Sequence, residues 1–346
     1  MSDRGRIDST VGAEIGQMVR TASSATSSCQ FADPTQTLIF FDWDDTLFPT
    51  TAIFDEWEVP SGKELENAIL PEVLSKQLVR WCNALLNFLT AACSVSERCV
   101  IVTNSRRPWI QQCACRFAPD MLELLESTRG KGSTVACGGS VRIAYANEAV
   151  SRKRYRRDGI RPVMQELAPC ELELEEQLMK PKQESMRREA EDFYSRYFGQ
   201  TWKNIISIGD MPYEHNAVQE VTFQRVAPER ERLRTKAMTL PTGPSVEEVT
   251  FRLELLARLL PALVHHDGDL SIQLDALQDH LQVLATVLDI PELADITLPA
   301  SAWGHEPQMD DAMERALEEV CNKVSSHIFL LQCKKQEKEN LDIIDC

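Results

Sequence analysis

The stretch LIFFDWDDTLFPTT, residues 38–51, decides the fold that this sequence predicts. Its four apolar residues, 38–41, run directly into Asp42, Trp43 and Asp44. An apolar run that ends in turn-forming polar residues is typical of a buried strand in a parallel sheet. In open α/β sheets, ligands bind outside the carboxyl ends of the strands, so both acids should lie at that edge. Because side chains alternate along a strand, Asp42 and Asp44 should face one side and Trp43 the other.

Paired carboxylates at a strand end can divide a chemical task. One can act as a nucleophile or metal ligand, and the other can act as a proton donor. Thr46 can hold the following loop through its hydroxyl. The alternative is that Asp42 and Asp44 belong to an ordinary acid-rich turn, since turns favour Asp. The apolar strand directly before the acids favours a functional site.

Length, net charge and cysteine spacing exclude several classes of protein. At 346 residues, the chain is long enough for one large core with an accessory region, or for two small domains. Its net charge of -16 argues against a general binder of nucleic acids or anionic membranes, because the average field repels phosphate. The eleven cysteines are scattered, without the spacing of a zinc site or disulfide framework, which predicts a reducing compartment. No secretory signal pattern or long apolar stretch is present, so we expect a cytoplasmic protein without a membrane span.

Apolar runs and breaks divide the chain into three parts. Residues 1–34 are polar and small, which predicts a disordered leader. Residues 35–243 predict an α/β domain with a Rossmann-like parallel sheet and helices on both faces. Residues 244–346 predict a C-terminal helical region, in which Ser245 and Glu248 form a capping box. Further strands are predicted at 99–103, 141–146, 205–208 and 236–240, and helices at 64–92 with a break near Pro71, 106–126, 181 onward, 274–288 and 310–332.

Two more predicted strands end in polar groups suited to phosphate or metal chemistry. The run CVIVTNS, residues 99–105, brings Thr103 to a strand end. The run NIISIGD, residues 204–210, brings Asp210 to another, and Glu214 follows four residues later. The carboxyl ends of parallel strands meet at one edge, so these groups should lie near Asp42.

A helix between these strands supplies candidate cations. Pro181 suits the first turn of a helix, and Lys180 and Lys182 flank that predicted start, where the positive potential suits phosphate. Residues at helical spacing predict one buried face: Met186, Ala190, Phe193 and Tyr197.

In order and spacing, these segments resemble the four motifs of the haloacid dehalogenase-like superfamily. The resemblance implies that Asp42 is the nucleophile that takes a phosphoryl group and that Asp44 is the general acid and base. Thr103 matches the second motif, whose hydroxyl hydrogen-bonds the transferring phosphoryl group. The third motif is a Lys that neutralises the nucleophile and the incoming phosphate. Lys182 fits one form of it and Lys180 the other, and the spacing to Met186 favours Lys182.

The fourth motif is matched by Asp210 and Glu214, with Glu where the family more often has Asp. The resemblance implies Mg²⁺ bound by the side chains of Asp42 and Asp210 and by the backbone carbonyl of Asp44. Glu214 then either holds a metal-bound water or orients the Lys.

The function implied by the resemblance is a Mg²⁺-dependent phosphohydrolase that works through an aspartyl-phosphate. The intervals between the motifs leave room for little or no cap, which suits a bulky phosphorylated substrate such as a phosphoprotein. The alternative is a catalytically silent scaffold that binds a protein partner through the basic segment Arg152–Arg157 or the C-terminal helix at 310–332. That basic segment can also be a solvated face, guide a phosphorylated substrate, or act as a nuclear import signal.

Overall fold

A computed structural model describes residues 30–126, 140–148, 171–226, 231–275, 279–298 and 310–344. Its strands are β1 (Thr37–Phe41), β2 (Arg98–Thr103), β3 (Ser140–Tyr145), β4 (Asn204–Gly209), β5 (Arg234–Thr239) and β6 (Leu270–Gln273). All six pair in parallel, in the order β3-β2-β1-β4-β5-β6. This order is that of a doubly wound, Rossmann-like sheet, which confirms the predicted α/β class.

Helices connect most of these strands. They are α1 (Glu72–Val95), α2 (Trp109–Phe117), α3 (Met121–Glu126), α4 (Glu171–Tyr194), α5 (Pro212–Phe223), α6 (Val246–His265), α7 (His280–Val287) and α8 (Asp311–Ile344). Shorter turns of π-helix at Ala52–Glu56 and of 3-10 helix at Gly62–Asn67 lie between β1 and α1. The predicted break near Pro71 is confirmed, because α1 begins directly after that proline.

The sheet is covered on both faces. Ile39 and Phe41 of β1 belong to a core shared with α1 and α6, whereas Leu38 and Phe40 belong to a core shared with α4 and α5. Burial on both faces explains why the strand is a continuous apolar run rather than an alternating one.

Helix α1 is, by length and composition alone, apolar enough to cross a membrane, and no other helix of the described ranges meets that test. One face of the helix packs in the protein core, where Leu74, Trp81 and Phe88 are fully buried, while Val73 and Val79 are exposed. The indole N–H of Trp81 donates to the Leu47 carbonyl at 2.9 Å. These contacts are those of a core helix.

The prediction that a helix begins at Pro181 is wrong. Helix α4 begins at Glu171 and contains Pro181 in its interior. Residues 171–180 are almost all strong helix formers, and the packing of Met186, Ala190 and Phe193 in the core stabilises the helix against the cost of one interior proline, about 3 kcal/mol. The helix also ends at Tyr194, so Tyr197 lies outside it and is exposed.

Two other predicted elements differ. The single helix expected over 106–126 is two helices, α2 and α3, separated at Pro119. The C-terminal region is not only helical, because β6 lies in it and pairs with β5. This four-residue strand at the sheet edge alternates buried and exposed side chains. A strand this short gives no clear signal in the sequence. The helix predicted from residue 274 begins instead at His280, as α7.

The predicted cap of α6 is confirmed. Glu248 N–H donates to Ser245 Oγ at 3.2 Å, and Ser245 N–H donates to Glu248 Oε2 at 3.2 Å. In α8, residues at helical spacing are buried along the first half, Met313, Leu317, Val320 and Val324, whereas Leu331 is exposed.

Residues 30–34 of the predicted leader form a turn that packs on the protein. The Phe31 ring is buried and lies 4.0 Å from the Arg234 guanidinium carbon. Residues 1–29 and the basic segment Arg152–Arg157 lie outside the described residues.

Candidate functional site

The acids predicted at the strand ends meet where the strand order changes direction. Strands β1 and β4 are neighbours, and the chain leaves them toward opposite halves of the sheet. Asp42 follows β1 directly, and its N–H donates to the Ile208 carbonyl of β4 at 3.0 Å. Asp210 follows β4, and both carboxylates are buried. Such a switch point at the carboxyl edge is where open α/β sheets bind ligands.

The alternation predicted after β1 is confirmed. Trp43 is fully buried in the core and stacks on Phe48 with ring centroids 5.3 Å apart. Asp42 and Asp44 instead contact polar groups on the other side of the chain. Thr46 lies in the loop as predicted, and its hydroxyl donates to Asp210 Oδ1 at 3.2 Å.

Of the two candidate lysines, the structure brings Lys182 to the acids. Its side chain is 1% exposed, and its Nζ donates to Asp42 Oδ1 at 2.5 Å and also to Glu214. Lys180 is 63% exposed and pairs with Glu176, one helical turn earlier. Lys182 reaches the site from the middle of α4, so the prediction that the N-terminus of this helix contributes to the site is wrong.

Glu214 contacts both Lys182 and the backbone at the end of β4. One carboxylate oxygen accepts from Lys182, and the other accepts from the backbone N–H of Asp210 at 3.0 Å and of Met211 at 3.4 Å. The N-terminus of α5 is thereby capped by a side chain from its own first turn. Of the two roles predicted for Glu214, orientation of the lysine matches these contacts directly.

The absence of a side chain at Gly209 makes this contact possible. A Cβ built at Gly209 lies 1.8 Å from Glu214 Oε2, and its three nearest atoms all belong to Glu214. The glycine is therefore required by the close approach of the carboxylate and not by a positive φ.

We expect Gly209→Ala to lower the free energy of unfolding by about 3 kcal/mol, because Glu214 must move and leave two buried N–H groups unsatisfied. Denaturant unfolding measures this loss. In a Glu214→Ala background, the same substitution should cost less than about 1 kcal/mol, because the clashing atoms are gone. Gly199→Ala is the control: nothing lies within 4 Å of its added Cβ, so its cost comes from backbone strain at φ +75 and should be the same in both backgrounds. Equal costs of Gly209→Ala in both backgrounds would contradict this explanation.

Three buried acids form a group that can hold a metal ion. Asp42, Asp210 and Glu214 each offer one oxygen, and these three atoms lie within 4.8 Å of one another. Burial and the carboxylates of Asp42 and Asp45 raise the pKa of Asp210 to about 7. Burial and Glu214 likewise raise the pKa of Asp42, against the opposing effect of Lys182.

The charge of this group favours a divalent cation. Metal binding requires the three carboxylates to be ionised, and they then face one lysine, whose pKa burial would lower but Asp42 and Glu214 raise overall. Lys182 alone therefore leaves uncompensated negative charge in a buried place. All-oxygen donors suit a hard cation such as Mg²⁺, so the residues fit the predicted ion.

Asp44 lies beside the three acids but is held by a different set of contacts. Its Oδ1 accepts from Thr50 Oγ1 at 2.7 Å and from Trp109 Nε1 at 2.8 Å. Its Oδ2 accepts from Ser105 Oγ at 2.8 Å and from Thr103 Oγ1 at 3.2 Å. The structure thus brings the predicted Thr103 to Asp44.

Sequence reasoning missed three of these donors. Ser105 lies two residues after the strand-end Thr103, so its position near the edge could have been inferred. Thr50 and Trp109 carry no local signal, because their contacts depend on how the loop after β1 and the start of α2 pack.

The raised pKa of Asp210 predicts a pH-dependent response to metal. Its folded pKa of about 7 exceeds the unfolded value, so its contribution to metal-free stability is complete below pH ~4 and is lost as the pH rises through about 7. Metal binding requires the carboxylate, so we expect Mg²⁺ to raise Tm at pH 8 and to lose this effect toward pH 5.5.

Thermal unfolding of wild type and Asp210→Asn, with Na⁺ at matched ionic strength as the control, measures this response. We expect the metal-free variant to be at least as stable as wild type at pH 8, because a buried charge has been removed, and to show no Mg²⁺ shift. A Mg²⁺ shift that persists in Asp210→Asn would contradict the role of Asp210.

The resemblance to the haloacid dehalogenase-like superfamily is one of sequence motifs alone. No protein-family model, curated protein or solved structure matches the chain.

Proposed function

We propose that this protein is a Mg²⁺-dependent phosphohydrolase of the haloacid dehalogenase-like type, which transfers a phosphoryl group to Asp42 and then to water. The observation that carries the proposal is the buried Lys182, which contacts Asp42 and Glu214 at the switch point of the sheet. A buried lysine beside a carboxylate at a ligand-binding edge suits neutralisation of an incoming phosphate.

The first step is attack by the Asp42 carboxylate on phosphorus. Lys182 holds Oδ1 at 2.5 Å, which leaves Oδ2 as the attacking atom. The P–O bond to the leaving group breaks as the O–P bond to Asp42 forms, and Lys182 stabilises the charge on the phosphoryl oxygens. The side chains of Asp42 and Asp210 and the Asp44 carbonyl would hold Mg²⁺, which when bound would neutralise further charge on those oxygens. The Thr103 hydroxyl, at the same carboxyl edge of the sheet, is assigned to hydrogen-bond the transferring phosphoryl group.

Proton transfer is assigned to Asp44. Its partly exposed carboxyl group can protonate the departing oxygen and then take a proton from the water that hydrolyses the aspartyl-phosphate. The four donors around Asp44 fix its orientation before substrate arrives. Protonated Asp44 can still accept hydrogen bonds from its neighbours while it donates to the leaving oxygen.

The test is release of phosphate from 4-nitrophenyl phosphate by the purified full-length chain, with Mg²⁺ and with excess chelator. We expect release only with Mg²⁺, together with a hydroxylamine-sensitive phosphoryl label on the protein after a single turnover. Release that is unaffected by chelator, or a label on another residue, would contradict the mechanism.

A second candidate function is a silent scaffold that binds a protein partner. It is favoured by α8, which exposes Phe329, Leu330 and Leu331 beyond its buried part. Beryllofluoride with Mg²⁺ distinguishes the two, because an aspartyl-phosphate site should bind this mimic of a phosphorylated carboxylate. Absence of both hydrolysis and mimic binding in folded protein would favour the scaffold.

A further inference from the structure

The residues around Asp44 point to the chemical class of the leaving group. This inference rests on the proposed function, in which Asp44 protonates the departing oxygen. The group attached to that oxygen must then lie beside the Asp44 carboxylate. The partly exposed side chains around Asp44 are therefore the ones placed to contact the leaving group.

Aromatic rings form part of this surrounding. The Trp109 ring, whose N–H donates to Asp44 at 2.8 Å, lies 5.2 Å from the Phe54 ring at an interplanar angle of 47°. Both side chains are partly exposed. Phe54 in turn contacts the buried Phe48 at 6.2 Å, which anchors it to the core. The pair is thus held by the protein and still presents ring surface to solvent.

Three polar side chains beside Asp44 have no donor left for a polar leaving group. Ser105, Thr50 and Trp109 each have one side-chain hydrogen for donation, and each contacts Asp44 with it. The hydroxyl oxygens of a sugar or polyol therefore find no free donor among these three side chains, and groups left unpaired cost affinity. An aromatic leaving group needs none and gains ring contacts.

We propose that the site takes phosphate monoesters whose leaving group carries an aromatic ring, seated against Trp109 and Phe54. Free aryl phosphates and accessible phosphotyrosine side chains share this chemistry.

Binding of unreactive phosphonates tests this class without reliance on turnover. In the presence of Mg²⁺, we expect benzylphosphonate to bind about fivefold more tightly than cyclohexylmethylphosphonate, which matches it in size but has no aromatic ring. Calorimetry on the full chain gives both affinities. A ratio near one for wild type would overturn the inference.

Substitutions assign the preference to the ring pair. Phe54→Leu and Trp109→Ala should each bring the ratio close to one. Trp109→Phe should retain most of the preference while lowering kcat, because it keeps a ring but loses the N–H to Asp44. Phe198→Ala is the control, since Phe198 is fully exposed just before the amino end of β4, at the opposite edge of the sheet. An unchanged ratio in both Phe54→Leu and Trp109→Ala would also overturn the inference.

Further ligands distinguish failure of the aromatic preference from failure of the proposed function. They also distinguish phosphotyrosine from a small aryl phosphate as the substrate. If beryllofluoride binds but the two phosphonates bind equally, the aromatic preference is wrong and the proposed function stands. If neither beryllofluoride nor either phosphonate binds, both proposals fail. A peptide carrying phosphonomethyl-phenylalanine that binds at least tenfold more tightly than benzylphosphonate would support phosphotyrosine as the source. Equal affinity would support a small aryl phosphate.

Discussion

Asp42→Asn should reduce phosphate release by more than about 10⁴-fold. The amide is not a nucleophile toward phosphorus, so the covalent step is lost and not merely slowed. Asn has the shape of Asp, and Lys182 keeps its contact with Glu214, so we expect the fold to persist. The substitution also removes a buried carboxylate whose pKa is raised by burial and by Glu214.

Steady-state release and single-turnover labelling of Asp42→Asn measure the loss, and circular dichroism checks the fold. Asp55→Asn is the matched control, because it removes an exposed carboxylate from the loop that follows β1. The control should retain wild-type turnover within about twofold, as surface substitutions usually do. An Asp42→Asn protein that releases phosphate at even one-tenth of the wild-type rate would contradict nucleophilic attack by Asp42.

The strand-end groups of the site could be predicted because each is encoded locally. Asp42 and Thr103 each follow four apolar residues, and Asp210 follows the mostly apolar run 205–209, which contains Ser207. Runs of this kind specify both the strand and the place where it ends. Parallel pairing then brings the three ends to one edge without any further information. The fold class followed from the same runs.

The sequence also indicated which of the two lysines faces the site, through the spacing of the lysines relative to the buried residues of the helix. Residues two apart on a helix point in nearly opposite directions, so only one of the pair can face the sheet. Lys182 precedes Met186 and Ala190 at intervals of four, and all three side chains are buried. The prediction of helix phase was therefore correct even though the predicted start at Pro181 was wrong. The buried face of a helix is predicted from many residues, whereas the start of this helix was predicted from a single proline.

Contacts that depend on the folded path of the chain could not be predicted. The Glu214 carboxylate fits against Gly209 only because the chain turns sharply between β4 and α5, and the distance that shows this is a property of the fold. Trp109 reaches Asp44 from a helix start that carries no motif. Strand β6 is stabilised by pairing with β5 rather than by its own four residues.

Lys182→Met should reduce turnover by about 10³-fold and destabilise the metal-free protein by about 3 kcal/mol at pH 8. The substitution leaves Asp42 and Glu214 buried without their shared cation. Burial already raises the pKa of both carboxyl groups, so they take up protons more readily in the folded state than in the unfolded state. Their ionisation therefore costs stability as the pH rises, and the deficit should shrink toward pH 5.

Lys180→Met is the matched control from the same helix. Lys180 is largely exposed and pairs with Glu176 at the surface, where such pairs contribute less than about 0.5 kcal/mol. Denaturant unfolding at pH 8 and pH 5, together with kcat in Mg²⁺, should separate the two substitutions clearly. If both variants lost activity and stability equally, the effect would belong to the helix as a whole, and the buried contacts of Lys182 would not carry the proposed chemistry. If only Lys182→Met is impaired and its deficit grows with pH, the lysine acts as the cation that allows two neighbouring carboxylates to be ionised in a buried site.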